Sequence, residues 1–284
     1  DWVEEDPITV GVTSSTGIET VEEIPAAIET PDPSVEGFFG YALIGALVGI
    51  LPVALGLLWL PALRQASAVW LSAFMAFTAG LLAFLGVEAL AEAFELQALL
   101  PAGLGGAGLV LLGVALSFLG MTALAAKLSG GTAATGFALA LLVAIGIGVH
   151  NFGEGLAIGA SFATGELQLG TFLIVGFMIH NVTEGLGIAA PAAERARVGI
   201  GRLAALTLIA GAPTIVGAWI GGYVTSDFLG ALFFAAAAGA ALQVVVEVGR
   251  FVARRAPGGL TSGYVLGGFL AGIAVMYATG LLVG

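Results

Sequence analysis

The 284-residue chain is 59% hydrophobic and only 10% charged, with a net charge of −11 and a mean hydropathy of +1.08. An ordinary soluble domain carries about 25% charged residues, so that class is excluded and a polytopic membrane protein is implied. The chain has no cysteine, which removes disulfides and thiolate ligands and leaves nitrogen and oxygen donors for any metal.

Residues 1–36 hold 10 of the 19 acids, no Lys or Arg, and four prolines at 7, 25, 31 and 33. Residues 1–37 therefore read as an acidic, flexible extracellular tail. It either gathers cations or is simply solvated. The start at Asp1 rather than Met is compatible with a processed leader. The remainder, 38–284, reads as one transmembrane domain of all-α class. Its apolar runs suffice to cross a hydrocarbon core of roughly 30 Å as helices, and they lack the alternation of barrel strands.

Eight spans are predicted, at 38–60, 68–93, 104–126, 134–161, 169–192, 203–225, 228–253 and 261–283. Pro61, Pro101, Gly130-Gly131, Gly165, Asp227 and Pro257-Gly258-Gly259 mark the turns. All 8 cationic residues (Arg64, Lys127, Arg195, Arg197, Arg202, Arg250, Arg254 and Arg255) fall at junctions that follow an odd-numbered span. Positive residues collect on the cytoplasmic side. The expectation is a multi-pass cell-membrane protein with both termini outside, its partners lipid and a metal ion rather than nucleic acid. Small-residue pairs such as Gly45/Gly49, Gly217/Gly221 and Gly268/Gly272 are expected at helix contacts. The glycines around positions 146–159 and 176–187 are expected to let spans 4 and 5 bend or slide.

Span 2 carries Glu88 and Glu92, one turn apart near its predicted outer end. They either attract cations at a mouth or mark an interfacial helix end. Spans 4 and 5 carry the most informative pattern. His150-Asn151-Phe152-Gly153-Glu154-Gly155 is repeated 30 positions later as His180-Asn181-Val182-Thr183-Glu184-Gly185, with 7 of 11 positions identical from each His onward. These are the only two histidines in the chain. A His and a Glu four apart share a helix face, so two such helices side by side offer two imidazoles and two carboxylates to a divalent transition metal. A charge at mid-membrane depth costs about 2.5–3.5 kcal/mol on insertion scales. Two carboxylates, two neutral imidazoles and one M²⁺ sum to zero charge. Asn151 and Asn181 are either further ligands or partners that orient the first ligands. On span 7, Gln243 and Glu247 lie one turn apart; Glu247 serves an exit pathway or pairs with Arg250 or Arg254.

The paired motifs resemble those of the ZIP (Zrt/Irt-like) metal transporters, especially the prokaryotic GufA-like branch, whose fourth and fifth spans carry HNxPEG-like and (H/Q)NxPEG-like motifs. The resemblance implies His150, Asn151, Glu154, His180, Asn181 and Glu184 as the transport-site positions. It further implies a pseudo-two-fold relation of spans 1–3 to 6–8 around spans 4 and 5, and a homodimer. The sequence departs from that pattern at Gly153 and Thr183, where relatives have proline. It departs again at Thr214, where many have a glutamate on span 6, and at Asn181, where some have aspartate. The loss of both acids favours a single-metal site.

The expected function is transport, not enzymatic: Zn²⁺ preferred, with Fe²⁺, Mn²⁺, Co²⁺ or Cd²⁺ also suited to these donors, carried from outside into the cytoplasm as substrate. The competing readings are an intramembrane metalloenzyme, whose expected H-E-x-x-H order is absent, and a metal-independent proton conductor.

Overall fold

A computed structural model describes residues 8–13, 19–24, 34–101, 103, 106–131, 134–163, 167–194, 198–223 and 226–281. Near the N-terminus, β1 (Ile8–Thr13) and β2 (Glu19–Ile24) pair antiparallel in the register Ile8↔Ile24 to Thr13↔Glu19. This ladder lies within the acidic tail, for which no strand is predicted above. The rest of the described chain is helical.

Eight helical segments are long and apolar enough to cross a membrane: Val35–Leu63, Ala68–Ala98, Gly106–Ser129, Gly136–Ala163, Leu173–Ala192, Ile200–Tyr223, Asp227–Arg255 and Gly263–Gly280. Each overlaps one predicted span, in order. The first begins earlier than predicted because Ser34 caps it, its hydroxyl accepting from the Gly37 N–H at 2.9 Å. Helix α1 (Val35–Gly45) runs into a π turn (Ala46–Ile50), then α2 (Leu51–Leu57) and the short α3 (Leu60–Leu63). Pro52 accounts for the irregularity: it has no N–H to donate to the carbonyl four residues back. The second span is the single helix α4 (Ala68–Ala98), longer than expected, so Glu88 and Glu92 lie inside it rather than at its end. Spans 3, 4 and 5 are α5 (Gly106–Ser129), α6 (Gly136–Ala163) and α7 (Leu167–Ala192). Span 6 is divided at Pro213 into α8 (Ile200–Gly211) and α9 (Pro213–Tyr223). Spans 7 and 8 are α10 (Asp227–Arg255) and α11 (Gly263–Gly280).

In the bundle α10 lies along α4, α5 and α6, and α11 along α4; α6 also lies along α9, α7 and α8, and α2 along α7. Glycines make the closest approaches. A Cβ on Gly217 would meet Phe152 O, one on Gly221 would meet Leu156 O, and ones on Gly268 and Gly272 would meet Ala73 O and Phe77 O. Gly45 and Gly49 sit likewise against Ile215 and Gly211. The predicted small-residue pairs are helix contacts.

The ends of the bundle sort as alternating helices require. At one end Glu194, just past α7, accepts from the Gly136 N–H at the start of α6 (2.7 Å) and pairs with Arg255 of α10 (2.8 Å). Arg202 of α8 stands 5.4 Å over the Phe137 ring. Junctions that follow spans 3, 5 and 7 therefore meet there. At the other end Phe38 stacks on Trp219, and Tyr41 meets Tyr223 edge-on. Arg195 and Arg197 lie outside the described residues.

Candidate metal centre

His150 stands midway along α6 and His180 midway along α7. Both helices run unbroken through their motifs, Gly153 and Thr183 included; Thr183 Oγ1 donates locally to His180 O at 2.6 Å. The i,i+4 spacing then places each Glu one turn beyond its His on the same face. His150, Glu154, His180 and Glu184 are 6%, 3%, 4% and 0% exposed. One ligand atom from each of the four lies within 4.8 Å of the others, so the group could hold a metal ion. A tetrahedral ion at ~2.0–2.1 Å from its ligands wants them roughly 3.3–3.4 Å apart, so a small inward adjustment would complete the set.

The carboxylate of Glu154 is the centre of this cluster. Its Oε1 contacts His180 Nε2 directly and lies 3.5 Å from His150 Nε2, and its Oε2 accepts from Asn181 Nδ2 at 2.9 Å. Glu184 is placed differently. Both its oxygens are buried and make no hydrogen bond of normal geometry, although the Asn151 side chain lies beside them. His150 Nδ1 and the Oδ1 atoms of Asn151 and Asn181 are likewise buried without a partner. The site thus presents unsatisfied acceptor atoms around a compact His/Glu core. Such a donor set suits a cation and is costly without one.

The two asparagines tie the motif helices to the two broken ones. Asn151 Nδ2 donates to Ala210 O at 3.2 Å, just before the break at Pro213. Asn181 Nδ2 donates to Val48 O at 3.0 Å, inside the π turn of span 1. The motif glycines follow the same rule: Gly155 rests against Thr214 O of α9, and Gly185 against Val53 O of α2. They are contact points between backbones. Thr214 Oγ1, beside Gly49, is fully buried with no hydrogen bond.

The outlying candidates occupy separate positions. Glu88 is exposed on α4, yet close enough to act electrostatically on His150; Glu92 lies between Glu88 and Glu95 and neighbours both. Gln243 and Glu247 are 1% and 3% exposed on α10. Glu247 Oε1 accepts from Arg250 at 2.7 Å and from Gln243 Nε2 at 3.5 Å, while Glu247 Oε2 has no partner. Val48 and Ala210 leave no mark in the side-chain pattern, because each acts through a backbone carbonyl; Pro52 and Pro213, which disturb those helices, are the only nearby signal in the residues. On the side of the Tyr41–Tyr223 pair, Val48, Ile158 and Leu173 form a small apolar cluster with Phe177 and Met178. The Phe177 ring meets His180 edge-on at 5.3 Å.

No protein-family model matches the chain, and no curated protein matches it.

Proposed function

We propose that this protein is a membrane transporter of ZIP-like type that moves divalent transition metal ions, Zn²⁺ foremost, from outside into the cytoplasm. The observation that carries the reading is the convergence of His150, Glu154, His180 and Glu184 on one point, buried midway along two helices able to cross a membrane. Two imidazoles and two carboxylates suit Zn²⁺ and its neighbours in the first transition row. A buried carboxylate with no hydrogen bond of normal geometry, as at Glu184, is a liability that a transiting cation relieves. Glu88 and Glu92 belong on the approach to the site, and Gln243 and Glu247 on the departure. The meeting of cationic junctions at one end of the bundle supports a cytoplasmic face there and outward termini. With Thr214 on span 6 and Asn181 on span 5, the site holds one metal per chain.

Reconstitution into proteoliposomes tests this directly. Zn²⁺ uptake is expected, reduced at least tenfold by alanine at His150, Glu154, His180 or Glu184. Flux that ignores metal would point to proton conduction, and metal-dependent cleavage of a membrane substrate without flux would point to an enzyme; either outcome overturns the proposal. Orientation is read by cysteine substitution at Arg64 or Arg254 in this cysteine-free chain. Labelling of either position from outside intact cells by an impermeant reagent would reverse the assigned sidedness.

A further inference from the structure

We propose that Pro52 is a positioning residue for the carboxylate of Glu154, acting through the backbone carbonyl of Val48 and the side-chain amide of Asn181. The inference rests on reading the His/Glu cluster as metal-binding, and it concerns how that cluster is held in place.

The chain of contacts is continuous. In a regular helix the N–H of residue 52 would donate to Val48 O, and a proline there leaves that carbonyl without its donor. In an apolar bundle an unsatisfied carbonyl must find another partner. Asn181 Nδ2 supplies it at 3.0 Å, and the second hydrogen of the same amide goes to Glu154 Oε2 at 2.9 Å. Both donors of Asn181 are thereby committed, which fixes the amide's orientation and leaves its buried Oδ1 unpartnered. Glu154 is in turn the residue that both imidazoles approach. A missing N–H on span 1 thus orients a carboxylate on span 4 by way of span 5.

The first motif lacks this continuity. The carbonyl that Pro213 deprives of its regular donor is Ile209 O, which packs against Gly148, whereas Asn151 donates one residue later, to Ala210 O. The Asn151 side chain lies beside Glu184, the carboxylate of the other motif, without a hydrogen bond of normal geometry to it. The linkage from proline to carboxylate belongs to the second copy alone.

A mutant cycle tests the link. Pro52→Ala restores the N–H that a regular helix would direct to Val48 O, in competition with Asn181 Nδ2. Zn²⁺ titration of the purified full chain in detergent is expected to show affinity falling about tenfold or more, as for loss of a partner that orients a metal ligand. Asn181→Leu, which has no donor, should weaken binding at least as much. The double variant should then bind no more weakly than Asn181→Leu alone. The same cycle read without metal, by thermal unfolding, should change sign. Pro52→Ala is expected to lower the midpoint or leave it unchanged when residue 181 is Asn. It should raise the midpoint when that residue is Leu, because Val48 O regains a donor. Equal shifts in both backgrounds would mean a merely structural proline and would overturn the proposal. If wild type binds no Zn²⁺, the metal reading fails, yet the metal-free cycle still decides the role of Pro52. Should Pro52→Ala fail to fold, carbonyl-¹³C valine labelling reads the link from the other side. The Val48 C=O stretch, assigned with Val48→Ile, is expected to rise in Asn181→Leu; an unmoved band would overturn the proposal.

Discussion

The two copies of the His-Asn-x-x-Glu-Gly motif occupy equivalent places on α6 and α7, yet their carboxylates meet opposite conditions. Glu154 is approached by both imidazoles and bonded by Asn181, whereas Glu184, equally buried, has the Asn151 side chain beside it but no hydrogen bond of normal geometry. The seats of the two helices are nonetheless alike. Each motif Asn reaches a backbone carbonyl of a proline-interrupted span, and each motif Gly rests on that span's backbone. The repeat therefore encodes two equivalent docking surfaces and, between them, one unequal pair of acids. Where two helices bring duplicate side chains to a single point, one carboxylate takes the place between the imidazoles and the other is left without a hydrogen bond of normal geometry.

The widest separation between the copies should appear in the glutamates. Glu154→Gln and Glu184→Gln are both expected to cut Zn²⁺ uptake at least tenfold, because each removes one anionic donor from a low-dielectric site. Without metal they should part. Glu154→Gln loses charge-assisted hydrogen bonds and is expected to cost about 1.5–3 kcal/mol, whereas Glu184→Gln removes a carboxylate that lacks a hydrogen bond of normal geometry and should not lower stability. Equal destabilisation in thermal unfolding would abolish the asymmetry. The histidines extend the contrast more weakly: His180→Ala should lower metal-free stability more than His150→Ala, since only His180 contacts Glu154 closely. Protons compete with metal for both imidazoles, so Zn²⁺ affinity should fall as pH is lowered. Removing either histidine should flatten that dependence, and an unchanged profile would exclude the removed residue as a titrating ligand.

The glycines probe what the copies share. Gly155→Ala and Gly185→Ala each drive a methyl group into a carbonyl, of Thr214 and Val53 respectively, and each should cost about 1–3 kcal/mol. Gly187→Ala meets only the Thr78 side chain, at 3.2 Å, and should be milder. A large difference between Gly155→Ala and Gly185→Ala in unfolding experiments would mean that the two docking surfaces are not equivalent.

Much of this was legible in the residues. Continuous apolar runs located eight helices because length and hydropathy alone decide what can cross a bilayer. The i,i+4 spacing of His150 with Glu154 and of His180 with Glu184 foretold a shared face, since helical geometry makes it unavoidable. The asymmetry was not legible, because the two motifs are the same in their His, Asn, Glu and Gly. Nor was the role of the asparagines, which depends on carbonyls of spans 1 and 6 that only the packing brings near. The strands in the acidic tail were also missed. Alternation through Ile8, Val10 and Val12 was present, but the acids and prolines around it outweighed that signal.

The smallest expected effect falls on span 6, where Thr214 stands beside the site. Its hydroxyl is fully buried and has no hydrogen bond, so deleting it removes a polar group that is already unsatisfied. Thr214→Ala should leave thermal stability within about 1 kcal/mol of wild type or raise it slightly, because an orphaned buried hydroxyl is a cost that alanine avoids. Zn²⁺ uptake should likewise stay within about twofold if one metal is held by α6 and α7 alone; such a change in rate corresponds to less than ~1 kcal/mol. The contrast to watch is with Glu184→Gln, which alters another buried acceptor that lacks a hydrogen bond of normal geometry. If Thr214→Ala lost uptake as Glu184→Gln does, span 6 would supply a ligand, and the site would have to be redrawn around three helices instead of two.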